Sequence, residues 1–584
     1  MTAKTDLQLA KRRAAAEVTG GFKGIIGYLF GISGLINVLA LTGAFYMLQI
    51  YDRVLTSGSV PTLVALSVLA LVLYLLQGLF DLLRTQVLIR IGARFDKKIG
   101  PLAHRVAVDM PRFGFAVPEA LERGRDVETV RGFLSGQGPS AFFDLPWIPL
   151  YLGFIYLLHP WLGGLTLAGA CVLTVLTVLG EVLTRRHSGT SRAATIARNM
   201  IADSHARNAD VLKAMGFAGA AMQRFRDANN EHLDLQTRTS DISGTFAALS
   251  RVLRMLLQSA LLGLGAYLTI KGDLSAGAII ACSVAAGRAL APVDTAIANW
   301  KSFVAARQAV RRLKETVAAL VTAVEPIELP VPVATLTVDK VTVAAPSSGH
   351  VLLSEVSFEV RAGQTVGIIG PSAGGKTTLV KALGGVWPLL RGSVRLDGAD
   401  LGQWREEQLG SYIGYLPQEV GLFDATVEAN ISRLSVSPDA RMIVDAARAA
   451  GIHDMIVRLP DGYKTQIGPQ GTALSAGQRQ RIGLARALYG NPFLVLLDEP
   501  NSNLDAAGDT ALKTAIDAIR ARGGIALVVA HRPSALAAVD LVGIIQNGRL
   551  VAFGPKEKIL NEATATSSPQ PVDESLKQQR QVPA

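Results

Sequence analysis

The chain has 584 residues and a formal net charge of +11; 49% of its residues are hydrophobic and 18% are charged, with a mean hydropathy of +0.32. This balance excludes an ordinary soluble enzyme of similar size, and the length allows two or more domains, each with its own core. The basic excess lies beside apolar stretches and suits the anionic inner face of a membrane, so no nucleic-acid partner is expected.

Residues 1–22 read as a short cytoplasmic N-terminus, and the polar run Met1–Glu17 is not followed by a signal-peptide pattern. Six apolar stretches come next: roughly Ile25–Ile50, Val60–Phe80, Phe142–Leu158, Trp161–Leu179, Met255–Ile270 and Ala276–Trp300. A helix crossing a bilayer core needs about 20 mostly apolar residues. The first, second, fourth and sixth stretches reach that length; the third and fifth are shorter. Cys171 and Cys282 fall inside apolar stretches and read as small packing residues.

The connections alternate. Short ones lie around Asp52–Ser59, His159-Pro160 and Lys271–Ser275, whereas the second-to-third and fourth-to-fifth are long and rich in arginine. Positive residues are retained on the cytoplasmic side, which places both long connections and both termini there. Those connections are also rich in helix formers, so their helices are expected to run on past the membrane. Residues 23–322 thus read as a six-helix membrane domain.

Arg288 lies 12 residues into the sixth stretch, roughly 18 Å deep at 1.5 Å per residue. A charge facing lipid there costs at least about 2.5 kcal/mol. It either lines a translocation path or forms an internal ion pair, for which Asp294 is a candidate partner.

Pro326, Pro330 and Pro332 mark a linker over residues 323–335. Alternating strand and helix patterns then predict an α/β domain over 336–560, and a polar tail, 561–584, is expected to be disordered. The apolar run Thr365–Ile369 leads directly into Gly370-Pro371-Ser372-Ala373-Gly374-Gly375-Lys376-Thr377, followed by the helix-compatible Thr378–Ala382. This is a phosphate-cradling loop: glycines let backbone N–H groups wrap phosphates, Lys376 adds a full charge, and the Thr377 hydroxyl can ligate Mg²⁺. Thr378 extends the ATP-binding set. A second apolar run, Phe493–Leu497, ends in Asp498-Glu499, where Asp498 can hold Mg²⁺ and Glu499 can polarise the attacking water as a general base. A third, Ile525–Ala530, ends in His531, a candidate sensor of the γ-phosphate.

Leu474-Ser475-Ala476-Gly477-Gln478 resembles the LSGGQ signature of ATP-binding cassette (ABC) proteins. The order phosphate loop, Gln418, signature, Asp498-Glu499, Asp505, His531 is similar to that family across the C-terminal domain. The resemblance implies a membrane all-α six-helix exporter domain fused to a cytoplasmic α/β cassette of the P-loop NTPase fold. It also implies ATP hydrolysis with Mg²⁺, and a homodimer in which each ATP lies between one phosphate loop and the other copy's signature. Ser475, Ala476, Gly477 and Gln478 would then act on the partner's ATP, Gln418 would touch Mg²⁺ and water, and Asp505 would couple the two sites. Arg123–Phe133 and Asn208–Phe225 are candidates for the short helices that press on the cassettes.

The chain departs from the family pattern at several points. Ala476 and Ala373 stand where glycine is common, and a methyl there is tolerable if the local φ is negative. No aromatic lies near Ala345-Pro346, where one usually stacks on adenine, and Pro469 stands where exporters usually have glutamate.

Tyr51-Asp52-Arg53-Val54-Leu55, Arg207-Asn208-Ala209 with Ala214-Met215-Gly216, Gly287–Val293 and Asp498–Asp505 look like the type I secretion branch that exports proteases, lipases and surface-layer proteins. The brief N-terminus lacks the peptidase-like domain of the haemolysin and bacteriocin branches. The branch implies a bacterial inner-membrane location, a periplasmic adaptor, an outer-membrane channel and a protein substrate with a C-terminal signal. An exporter of lipid or small amphipathic molecules is the alternative.

Overall fold

The computed structural model describes residues 23–320, 328–530 and 536–566. The described residues form two compact units. The first takes in the residues up to Met110 and those from Ala116 to Leu320. The second takes in Pro111–Phe115 and the described residues from 328 on.

The first unit is all helical. Its main helices are α1 (Lys23–Leu39), α2 (Thr42–Gln49), α3 (Val60–Asp109), α4 (Val117–Ser135), α5 (Ile148–Leu158), α6 (Pro160–Arg207), α7 (Ala218–Ile270) and α8 (Ala276–Leu320). Among the described residues, six helical segments are long and apolar enough to cross a membrane: Gly24–Ser57, Val60–Phe113, Gly138–Leu158, Pro160–Thr184, Ala218–Ile270 and Ala276–Ala318. They cover the six apolar stretches of the sequence. At 50, 48 and 53 residues, α3, α6 and α7 are each about 70–80 Å long, far beyond the ~30 Å of a bilayer core.

The short connections are tighter than the sequence suggested. After α2 the chain continues as a π-helix, Ile50–Val54, and a last helical turn, Leu55–Ser57. Gly58, at φ +61, ends it, and Ser59 accepts from the Thr62 N–H to start α3 with a proline in its first turn. Left-handed glycine and N-capping serine are the ordinary stop and start signals of a helix. His159 is extended, and its Nδ1 accepts from the Trp161 N–H at the head of α6.

Arg123, in the segment read as a candidate to press on the cassettes, is buried inside the first unit. It donates to Thr316 at 3.1 Å and pairs with Asp126 at 3.5 Å. Asp126, 1% exposed, also receives Arg312 and Arg192, so one carboxylate ties α4 to α8 and α6. Asp294 pairs with Arg254 of α7 and not with Arg288, which is exposed.

The second unit holds two sheets. Four strands pair antiparallel in the order β2 (Val351–Arg361), β1 (Thr335–Ala344), β4 (Arg391–Leu396), β5 (Ala399–Asp400). Six strands run β10 (Arg549–Pro555), β9 (Leu541–Gln546), β3 (Thr365–Ile369), β8 (Ile525–Val529), β7 (Leu494–Asp498), β6 (Ile413–Leu416). From β9 to β6 every pairing is parallel. The central strands β7 and β8 are apolar except for the terminal Asp498 and buried along their whole length, as expected of parallel strands covered on both faces. Pro111–Phe115 belongs to this unit, where Arg112 donates to the Gly385 and Val386 carbonyls.

Candidate active site

Because β3, β8, β7 and β6 are parallel, their carboxyl ends meet at one edge of the sheet, where open α/β folds bind ligands. That edge gathers Gly370 after β3, Asp498 at the end of β7 and Gln418 two residues past β6. β8 ends next to Ala530 on the same edge; His531 lies outside the described residues.

The phosphate loop leaves β3 and turns into α9 (Lys376–Leu383). Gly370 cannot be replaced freely: a Cβ there would lie 2.0 Å from the Ile545 carbonyl oxygen. The loop is braced from outside by the Gly548 N–H, which donates to the Gly374 carbonyl at 3.0 Å. Ala373 sits at φ +61. Its methyl is therefore held in the left-handed region, at a cost of about 1–2 kcal/mol, and the loop retains that strain. Lys376 is buried and folds back onto its own loop, donating to the Gly370 and Pro371 carbonyls at 2.9 and 2.8 Å. Desolvation lowers its pKa, while the Glu499 and Asp498 charges raise it. The amine is thus parked where phosphate oxygens would replace the two carbonyls.

Asp498 is fully buried, and neither carboxylate oxygen meets the geometry of a hydrogen bond. Burial raises its pKa, Thr377's hydroxyl lies close enough to lower it, and Glu499 raises it again. A bare pair of buried oxygens beside a threonine hydroxyl fits a hard, oxygen-seeking divalent cation. Glu499 follows at φ +49, with its N–H donating to the Val529 carbonyl at 3.1 Å. The same desolvation, with Asp498 adding to it, pushes Tyr415 up to about 12.

The signature heads α10 (Ala476–Leu488). Ser475 is its N-cap in a reciprocal capping box: the Gln478 N–H donates to Ser475 Oγ at 3.3 Å, and Gln478 Oε1 accepts from the Ser475 N–H at 2.9 Å. Ala476 has no positive φ, so its methyl is free of backbone strain. Gly477 is different, because a Cβ there would lie 2.9 Å from the Asn503 carbonyl oxygen. Ser475 and Ala476 are exposed, leaving the positive end of a thirteen-residue helix open to an anion. Asp505 caps α11 (Ala506–Ala521), accepting from the Gly508 N–H at 2.8 Å, and pairs with Arg481. The Gly508 bond and Arg481 hold its carboxyl below the ordinary range.

Three residues to which sequence reasoning gave no role belong to this site. They are Gly548 behind the phosphate loop, Tyr415 beside Asp498, and Gln480, whose side chain is buried on α10. Gln480 had a legible signal: it lies in helical register with the buried Leu484 and Ala487, and a polar residue on an apolar stripe needs partners.

Comparison with known proteins agrees with this geometry. Residues 353–502 match the family described as ABC transporter, and residues 26–290 match the ABC transporter transmembrane region. The chain is 50% identical over 530 residues to the type I secretion system ATP-binding protein PrsD of Rhizobium meliloti (strain 1021), covering 91% of each chain. It is 26% identical over 545 residues to the leukotoxin translocation ATP-binding protein LktB of Mannheimia haemolytica, covering 92% of this chain and 76% of that one. A solved bacterial Atm1-family ABC exporter with ATP bound shares the fold, with a TM-score of 0.79 at 21% identity, over 95% of this chain and 100% of that one. The chain is therefore a multi-pass membrane ATPase of the ABC transporter family, and it belongs to the exporter-type branch of type I secretion ATP-binding proteins.

Proposed function

We propose that this chain is the ATP-driven component of a type I secretion system, exporting unfolded proteins with C-terminal signals across the bacterial inner membrane. The observation that carries this reading is the 50% identity to a type I secretion ATP-binding protein, which spans 91% of both chains. The cassette faces the cytoplasm. The partners are a periplasmic adaptor, an outer-membrane channel and a second copy of the same chain.

Within each cassette, the loop Gly370–Thr378, through the N–H groups of its non-proline residues, and the Lys376 amine hold the phosphates of ATP. Thr377, Asp498 and Gln418 hold Mg²⁺, which when bound screens the charge that builds up on the phosphates. Glu499 takes the proton of the attacking water, with His531 on the γ-phosphate. The bare Asp498 carboxylate supports the metal assignment. The exposed N-terminus of α10 supports the dimer: Ser475, Ala476, Gly477 and Gln478 act on the nucleotide of the second copy, and Asp505 links the two sites. Arg288 lines the translocation path, supported by its exposure and by Asp294 pairing elsewhere.

The test is ATPase activity of the purified full-length chain in detergent. C-terminal peptides from secreted repeat-bearing proteins of the same genome are compared with phospholipid vesicles. Stimulation or inhibition by the peptides is expected. No response to any peptide, with strong stimulation by lipid, overturns protein export in favour of a lipid exporter.

A further inference from the structure

Gln480 is 1% exposed and makes four hydrogen bonds through one amide. Its Nε2 donates to the Glu499 and Pro500 carbonyls at 3.2 and 2.9 Å. Its Oε1 accepts from Ser502 Oγ at 3.3 Å and Asn503 Nδ2 at 3.0 Å. A primary amide has two N–H donors and two acceptor directions, so the group is saturated. Glutamate would lose both donors, methionine would lose all four bonds, and asparagine falls short by a methylene.

The segment Gln480 grips runs from Glu499 to Asn503, between the end of β7 and Asp505. Glu499 sits in the left-handed region, a conformation that persists only where the surroundings hold it. Both of its backbone polar groups are held: the N–H by Val529 and the carbonyl by Gln480. The first turn of α10 presses on the same segment, since Gly477 approaches the Asn503 carbonyl too closely to carry a Cβ. The signature turn and the Glu499–Asn503 segment are thus packed and bonded together.

We propose that Gln480 is a positioning residue for hydrolysis, fixing the aim of the Glu499 carboxylate to the position of the signature helix. A nucleotide engaged by the N-terminus of α10 is thereby felt at Glu499 of the same chain. In the dimer that nucleotide belongs to the second copy, so the amide connects the two ATP sites. This rests on the reading of Glu499 as the general base.

The test uses the full-length protein in detergent with Gln480→Glu and Gln480→Met, both close in shape to glutamine. Measured are kcat, KM, the Kd of a fluorescent ATP analogue and the unfolding temperature. The expected result is a kcat lower by about 10- to 100-fold, the scale of a misaimed catalytic group, with KM and Kd within about threefold of wild type. A kcat within about twofold of wild type in a folded variant overturns the proposal. So does a parallel loss of ATP binding, which marks a merely structural role. If both variants fail to fold, Asn503→Ala decides: it removes one of the four bonds, and an unchanged kcat there also overturns it. Glu499→Gln separates this failure from that of the parent reading. If Glu499→Gln is inactive and Gln480→Met is not, only the Gln480 assignment falls.

Discussion

Asp52, on the π-helical turn that ends the first span, accepts from the backbone N–H of Gly277 at 2.8 Å, 225 residues further along. Its other oxygen accepts from the Ser275 hydroxyl. The first span thereby caps the N-terminus of the sixth, supplying a negative charge where helix N–H groups are unpaired. Asp52→Ala is expected to lower stability by about 1 kcal/mol, the scale of a lost cap, and Asp52→Asn by less. Thermal unfolding in detergent measures both; an unchanged midpoint for the alanine variant would show that Ser275, which accepts from the Ala278 N–H, is a sufficient cap alone.

Asp126 is the buried hub of the first unit. Removing it leaves the buried Arg123 with only Glu119 at 3.5 Å and the Thr316 hydroxyl, while Arg192 and Arg312 still reach water. Breaking a buried pair costs about 3–5 kcal/mol, and the partial exposure of two partners puts Asp126→Ala near the lower end. The readout is the unfolding midpoint, with ATP binding by the cassette retained.

The carboxyl of Asp498 has a raised pKa, chiefly from burial. The folded chain holds that proton more tightly than the unfolded one does. The resulting stabilisation is present below the unfolded pKa, about 3.9, and is lost as pH rises through the folded value. At neutral pH the ionised group therefore destabilises the nucleotide-free fold. Asp498→Asn is expected to stabilise the fold at pH 7.5 in chelator by about 1–2 kcal/mol, read as a higher unfolding temperature, with the gain shrinking towards pH 4. The same variant should lose Mg²⁺-dependent hydrolysis. A less stable variant at pH 7.5 would contradict the uncompensated burial.

For Glu499→Gln, ATP binding is expected to stay intact while turnover falls by about 100- to 10,000-fold, the range of a lost general base. Equilibrium binding and phosphate release measure the two separately. Hydrolysis at the wild-type rate would remove Glu499 from that role.

Arg288→Ala is expected to reduce export while leaving basal ATPase activity and thermal stability unchanged, because no ion pair to Asp294 is lost. Export intact with a lower unfolding temperature would instead make Arg288 a structural residue.

The sequence by itself determined the membrane spans and the α/β domain, and it marked the candidate residues of a nucleotide site. Those signals are local: an apolar run long enough for a bilayer, an apolar strand ending in glycine, lysine and threonine, a strand ending in two carboxylates. Each is read within about two dozen contiguous residues at most. Tertiary structure alone decided which charges pair and which backbones are strained. Asp294 meets Arg254 because α7 and α8 lie side by side, and Arg123 faces Thr316 because α4 packs on α8. Ala373 carries a positive φ because the loop around it must close on the Ile545 and Gly548 backbones. Such pairings depend on which helix faces meet and where strand ends align, and residues tens or hundreds of positions apart carry no local trace of that. Gln480 lies between the two cases: its place on a buried stripe is visible in the sequence, while the four partners of its amide exist only once β7 and α10 are packed together.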